Sequence, residues 1–493
     1  MHRFAALSFL AWLGMLSPAV VAAPDHPIVP GFERFSTGEK ADIARGGQLL
    51  LGELNCVSCH KAADSSLVGK QAPILDFLTT RTRIGYLRKF LRDPHGVKPG
   101  TTMPALFAGD PARDQKVEAL LHFLASTGSL RQERPSMKGV GSGRDLYQKV
   151  GCVACHGSRD ATGNADKVTA TSVPLGDLKE KYSIAGLAAF LENPQHVRPS
   201  GRMPKLLTSQ EARDVANYLL QGARIELASG KGATNYSYYE GSWDRVPDFG
   251  KMKPKTTGTA IGFDVGVARR GDNFALKFEG VFKIEREAVY TFIVTSDDGS
   301  RLYIDGKLVV DNDGIHAPQA RQGSTRLTKG VHKITVGFMQ GGGGAELDVQ
   351  IEAPGFGHHN LGSLVAVSEA ALERKRPVTK DEDSLDVQPA LVEKGRTLFA
   401  SSGCASCHQM NEGKGAIAST LSTPPLNKLK GDGGCLAATA TKGLPAYSLS
   451  ATQRTALSAS IKNPPAPPKT PAAMIARTLI TFNCYACHVR DKL

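Results

Sequence analysis

Hydrophobic positions along this chain follow two different periods. Towards both ends they recur at helical spacing: Ala41, Ile43 and Ala44 followed by Leu49-Leu50-Leu51 predict an amphipathic helix over 40–54. Leu87–Leu91 predicts another, stopped at Asp93-Pro94, and 116–124 and 472–482 read the same way. Between Ala228 and Pro354 the period changes to alternation of β-branched and aromatic residues between Gly- and Asp-rich turns. Tyr290–Val294 and Arg301–Ile304 are expected strands, with 296–300 as their turn and Asp305-Gly306 as the next. The pattern therefore predicts a multidomain chain in which all-α domains flank an all-β insert.

Each of four helical stretches is tied to one device: Cys56-Val57-Ser58-Cys59-His60, Cys152-Val153-Ala154-Cys155-His156, Cys404-Ala405-Ser406-Cys407-His408 and Cys484-Tyr485-Ala486-Cys487-His488. Two thiols three positions apart on a helical turn can each add to one vinyl group of a porphyrin. The adjacent His then turns its imidazole to the iron. A thioredoxin-like pair or half a zinc site also uses Cys-x-x-Cys, but neither accounts for a following His four times. On these residues the chain resembles the class I c-type cytochromes. That resemblance implies covalent haem c, three or four in number, attached outside the cytoplasm, and electron transfer.

The first two units repeat each other: Phe90-Leu91-Arg92-Asp93-Pro94-His95 to Met103-Pro104 matches Phe190-Leu191-Glu192-Asn193-Pro194-Gln195 to Met203-Pro204. Two methionines before proline at matched places are expected as axial ligands opposite the motif histidines, Met103 for His60 and Met203 for His156. His95 and His196 are the rivals. The third unit has no Met between Met410 and Met474, so its sixth ligand is expected from Cys435, Met474, another domain or water. Cys435 is the one cysteine of nine outside a motif. Pro464–Pro468 is a stiff spacer before the fourth motif. Few residues follow His488, so that motif is expected either to pack on the third unit or to belong to a shortened domain.

Within the insert, Gly241-Ser242-Trp243, Pro247-Asp248-Phe249, Phe278-Glu279-Gly280, Ser296–Ser300, Asp311-Asn312-Asp313-Gly314 and Gly330-Val331-His332 resemble the lectin-like β-sandwich domain of anthrax protective antigen. The resemblance implies an all-β sandwich in which Asp297 and Asp298, joined by a cis peptide, hold calcium, and calcium holds carbohydrate. Hard oxygens converging from one tight turn suit that ion, and Asp311, Asn312 and Asp313 are nearby candidates for more. Asp-Gly sequences are also ordinary hairpin chemistry.

Length and composition, 493 residues with 41% hydrophobic and 22% charged, fit several globular domains. Basic His2-Arg3, apolar Phe4–Leu16 and a small-residue cleavage site after Ala22 predict a signal peptide over 1–22 and export to the periplasm or cell envelope. No transmembrane segment is expected in the mature chain. The +13 charge favours acidic partners, an anionic redox protein, an acidic polysaccharide or an anionic membrane surface, and export disfavours nucleic acid. The expected division is cytochrome units at 27–130, 139–228 and 388–463, a sandwich at 229–356, a linker at 357–387 carrying His358 and His359, and the spacer with the fourth motif at 464–493. The leading functional reading is an electron-transfer protein tethered through its sandwich. The alternative is a haem-dependent oxidoreductase acting on a small substrate at an open third or fourth iron, and a purely sensory haem protein is a third reading.

Overall fold

A computed structural model describes residues 26–37, 41–62, 67–130, 133, 135–165, 174–223, 232–354, 356–373, 385–412, 415–464 and 468–488. The expected signal peptide lies outside the described residues.

Every motif is reached from a leading helix: Ile43–Glu53, Met137–Lys149, Pro389–Ser401 and Pro471–Thr481. Asp42, Ser136 and Thr470 cap three of them by accepting a backbone N–H of the first turn, and Pro389 opens the other. The residue before each motif is left-handed, Asn55, Gly151, Gly403 and Asn483, which is why only Asn and Gly stand there. Closing helices follow at Arg113–Ala125, Ser209–Leu219 and Ala451–Lys462. The last two start in capping boxes, Thr208 with Glu211 and Ser450 with Gln453.

In the second unit the leading helix crosses the closing helix of the same segment, and Gly143 sits at the crossing with no room for a Cβ against the Asp214 backbone. The first and third units are built differently, because their halves are exchanged. The first leading helix, Ile43–Glu53, crosses Ala451–Lys462, with Gly47 against the Ala456 carbonyl. The third, Pro389–Ser401, crosses Arg113–Ala125, with Gly395 against the Ala119 carbonyl. One core accordingly joins Leu49, Leu50 and Leu51 to Leu449 and Leu457, and another joins Phe399 and Cys404 to Leu120, Leu121 and Phe123. Units at 27–130 and 388–463 thus follow the order of the chain, whereas in space each is completed by the other.

A local twofold relates the exchanged units. Ala105 and Ala446, at equivalent places, form an antiparallel bridge with N–H to O distances of 2.8 and 3.1 Å. Leu426 N–H donates to Lys61 O at 2.9 Å, and its counterpart Leu75 N–H donates to Gln409 O at 2.8 Å. The fourth motif packs into the core of the first leading helix, against the segment that precedes that helix: Tyr485 meets Phe35 edge to face at 5.2 Å, and Asn483 donates to Pro30 O at 3.0 Å.

The insert is two antiparallel sheets. One has the order β2 (Thr256–Ile261), β1 (Ala233–Glu240), β3 (Phe274–Ile284), β8 (Gly330–Gln340), β5 (Ser300–Ile304) and β6 (Lys307–Asn312). The other runs β10 (Gly357–Asn360), β9 (Glu346–Ala353), β4 (Ala288–Asp297) and β7 (Gln319–Leu327). Alternation does what it predicts on β4, where Tyr290, Phe292 and Val294 are buried against Phe282, Leu302 and Val336. The expected linker starts later than 357. His358 and His359 lie in β10, paired with β9, and Leu361, Val365 and Ala366 are buried, because apolar side chains after the His pair have a sandwich edge to cover. Residues 374–384 lie outside the described residues.

Candidate functional site

Three motif segments are short helices, Cys56–Cys59, Cys152–His156 and Cys404–Cys407, and the fourth is a tight turn at Cys484–Ala486. Each therefore sets two sulfurs about one turn apart with the histidine next in line. Burial pushes the Cys56 and Cys404 thiols up to about 12 and Cys407 up to about 11. Redox-active Cys-x-x-Cys pairs have depressed values, the opposite of the direction at Cys56, Cys404 and Cys407.

The histidines carry the most informative geometry. His60 donates from Nδ1 to Pro424 O at 2.8 Å, and His408 from Nδ1 to Pro73 O at 2.7 Å. A carbonyl partner fixes the proton on Nδ1 and leaves the Nε2 lone pair free for a metal, the arrangement that orients ligating histidines. Burial lowers the His408 pKa, a shift towards the neutral ring. His156 has a buried Nδ1 with no partner among the described residues, and burial likewise lowers its pKa. His488 and Cys487 are exposed, so the fourth motif has the local turn but little cover.

Where the repeats of the first two units meet, Thr82 pairs with Tyr182 and Arg83 N–H donates to Lys181 O at 2.9 Å. This junction gathers Arg81 and Lys98 with their repeat counterparts Lys181 and Arg198. Lys181 lies over Tyr182 at 4.7 Å and over Tyr86 at 5.5 Å, and Arg198 over Phe190 at 5.4 Å. Burial first, then the neighbouring cations, hold Lys181 down to about 7 and Lys98 well below its ordinary value. Asp76 lies near Arg81, but its carboxylate is hydrogen-bonded to Asn411. Cations grouped this way suit carboxylates, and Lys98 is also electrostatically coupled to His156. The propionates of a haem are carboxylates, so this cluster and the His–Pro bonds both fit a haem held by these motifs.

Exchange brings the first and third motifs side by side. The Cys407 thiol lies near Ser58, Asn55 and Cys59, and Thr423 donates to Cys59 O. Cys435, expected beside the third iron, is instead coupled to Cys56 and Cys59 because its segment completes the first unit. Tyr447, which sequence reasoning passed over, is coupled to Cys56, Cys59, Cys407 and Cys435. Met203 packs with Cys152 in the core of the second unit. Met474 lies exposed on the fourth leading helix, His196 is exposed, and His95 donates to Ala446 O at 3.3 Å.

At the sandwich tip the Asp297-Asp298 peptide is cis and both side chains are buried. Asp298 accepts from His316 N at 3.0 Å and from Gly341 N at 2.9 Å. Burial, reinforced by Asp298 and Glu346, pushes the Asp297 carboxyl up to about 6. Asp313 is directed elsewhere, to Arg301 at 2.8 Å and Val246 N at 2.7 Å, and Asp311 also lies near Arg301. Asn312 is turned inward to Ser296 at 2.9 Å. Among the described residues no three His, Cys, Asp or Glu side chains form a metal-holding group. The tip faces the second unit, whose Arg213 on the closing helix bonds Glu346 at 3.5 Å and Glu133 at 2.6 Å.

A cytochrome c family model matches residues 140–223 and 392–474, and a PA14 domain model matches 236–354. The chain carries cytochrome c and PA14 domains. Cytochrome c domains bind haem covalently and imply electron transfer, and PA14 domains are lectin-like β-sheet domains. Similar solved structures include the PA14 domain of an antifreeze protein (18% identity, 32% of this chain and 98% of that chain, TM-score 0.26). Another is the PA14 sugar-binding domain of an RTX adhesin (18% identity, 28% and 99%, TM-score 0.25). A third is the A domain of epithelial adhesin 9 from Candida glabrata (12% identity, 27% and 89%, TM-score 0.20). No curated protein matches the chain. Among the described residues no helix is long and apolar enough to cross a membrane.

Proposed function

We propose that this protein is an exported multihaem cytochrome that relays electrons, held in place by a PA14 module bound to carbohydrate or an envelope component. The observation that carries the relay reading is the pair of His–Pro bonds, which presents His60 and His408 as iron ligands at two adjacent motifs. Haem, when bound, supplies an iron that accepts and releases one electron. The chain does the rest. Cys56, Cys59, Cys152, Cys155, Cys404, Cys407, Cys484 and Cys487 fix the porphyrins, His60, His156, His408 and His488 ligate them, and Met103 and Met203 supply thioether sulfur. The basic junction at Arg81, Lys98, Lys181 and Arg198 neutralises carboxylates that would otherwise be costly to bury. The +13 of the whole chain suits an acidic redox partner.

Protein matured with a haem-attachment system is expected to carry three or four covalent haems by intact mass. Two or fewer after complete maturation would overturn the reading. For the PA14 module, calcium at Asp297 and Asp298 relieves the repulsion of two buried neighbouring carboxylates, and the bound ion presents itself to sugar hydroxyls. Calcium is expected to raise the unfolding temperature of the full protein, and Asp297→Ala to remove that rise. A melting temperature indifferent to millimolar calcium (roughly the affinity range of extracellular modules) would leave the module as a protein contact.

A further inference from the structure

The exchange of halves changes which iron each loop serves. The second unit is the internal template, because its parts are contiguous: His156, the repeat helix Ile184–Glu192, the loop with Met203, and the closing helix that crosses the unit's own leading helix at Gly143. In that arrangement the methionine loop and the closing helix after it belong to one haem fold. The segment 73–125 has the same order, but Pro73 at its head binds His408, and Arg113–Ala125 at its end crosses Pro389–Ser401 at Gly395. Met103 lies between them. Conversely, the segment 424–462 starts with Pro424 on His60 and ends with a helix crossing Ile43–Glu53 at Gly47.

The antiparallel bridge pairs Ala105 with Ala446, and each of these alanines follows a proline. Taken as equivalent places of the two loops, Met103-Pro104-Ala105 corresponds to Leu444-Pro445-Ala446, so the place taken by methionine in two units is taken by leucine in the unit of His60. Leucine has no donor atom.

On the reading that these motifs hold haem, we propose that Met103 is the sixth ligand of the His408 iron, and that the His60 iron, facing Leu444, keeps an open position that binds a small neutral molecule of the diatomic-gas class. The exchanged pair is then asymmetric: one iron suited to electron transfer stands beside one suited to ligand binding. This reverses the assignment expected from chain order, in which Met103 served the first haem and the third was open. Cys435 and Tyr447 are the donors near the first motif that would compete for that position.

The test is carbon monoxide binding to the reduced holoprotein, followed optically, together with the sulfur-to-iron charge-transfer band of the oxidised form. The background carries Cys484→Ala and Cys487→Ala, so that the poorly covered fourth haem makes no contribution. One haem equivalent is expected to bind carbon monoxide. Leu444→Met is expected to abolish that binding and add one equivalent of the charge-transfer band, and Met103→Leu to do the reverse by opening a second site. Adding Cys404→Ala and Cys407→Ala should erase the effect of Met103→Leu, whereas adding Cys56→Ala and Cys59→Ala should leave it intact. The opposite dependence would overturn the assignment. Absence of carbon monoxide binding that returns in Cys435→Ser or Tyr447→Phe would overturn the open position by naming its occupant. Failure of covalent haem attachment, seen by mass, would instead strike the cytochrome reading itself.

Discussion

The second cytochrome unit and the pair made by the first and third use the same parts, joined by different paths. Each has a capped or proline-led helix, a left-handed Asn or Gly, a motif, a proline-led segment and a closing helix seated on a glycine. In the second unit one segment supplies all of them; in the pair, each unit takes its second half from the other. The difference teaches that a module's internal contacts do not choose between copies, because Gly47 against Ala456 and Gly395 against Ala119 are the same contact. What favours the exchange must be contacts that exist only in it. These include the Ala105–Ala446 bridge and Asn411 bound twice to Asp76 at 2.6 Å. Loop closure opposes it only weakly, since its cost grows with the logarithm of length, about 0.6 kcal/mol per doubling.

The largest effect expected from this contrast comes from removing residues 388–493. In an exchanged pair the first motif then loses Pro424 and its closing helix, and limited proteolysis should digest 41–125 while sparing 137–223. A resistant core over 41–125 would mean that the first unit is complete by itself. Next in size are Gly395→Ala and Gly143→Ala. Alanine gains about 1 kcal/mol of helix propensity over glycine, but a Cβ there collides with backbone, so a net loss of about 1–3 kcal/mol is expected from each. Hydrogen exchange should separate them: Gly395→Ala should loosen the distant helix 113–125, and Gly143→Ala the helix 209–219. Equal protection of 113–125 in both variants would break the comparison. Smallest is Asn411→Ala, which removes the exposed side-chain bond from Nδ2 to Asp76 while the backbone N–H bond stays, and should cost about 0.5–1.5 kcal/mol by chemical denaturation. No change in the stability of the pair would show that this side-chain bond does not favour the exchange.

Much of this was legible in the residues. Helical period located the leading helix at Ile43–Glu53 within the expected 40–54, and alternation located β4 and β5. The cis Asp297-Asp298 peptide followed from the sandwich resemblance. The exchange was not legible, because a pattern that specifies a module says nothing about which of two equivalent partners completes it. Chain order made Cys435 one of the candidate ligands of the third iron for that reason, although its neighbours are Cys56 and Cys59. His358 and His359 read as linker because a polar, glycine-flanked pair gives no strand signal; the edge of β9, unpaired without β10, supplies the reason for it to be a strand. Asp313 looked free to reach the tip, and only the fold reveals Arg301 beside it.

The exchange itself can be tested through two lysines. Leu426 donates its N–H to the carbonyl of Lys61, which puts Lys61 beside the turn carrying Lys428. Amine cross-linking of the size-selected monomer, read by peptide mass, is expected to recover the Lys61–Lys428 pair. Cross-links that join Lys61 only to residues of 41–130, and Lys428 only to residues of 389–462, would show each unit closing on its own segment and would refute the exchange.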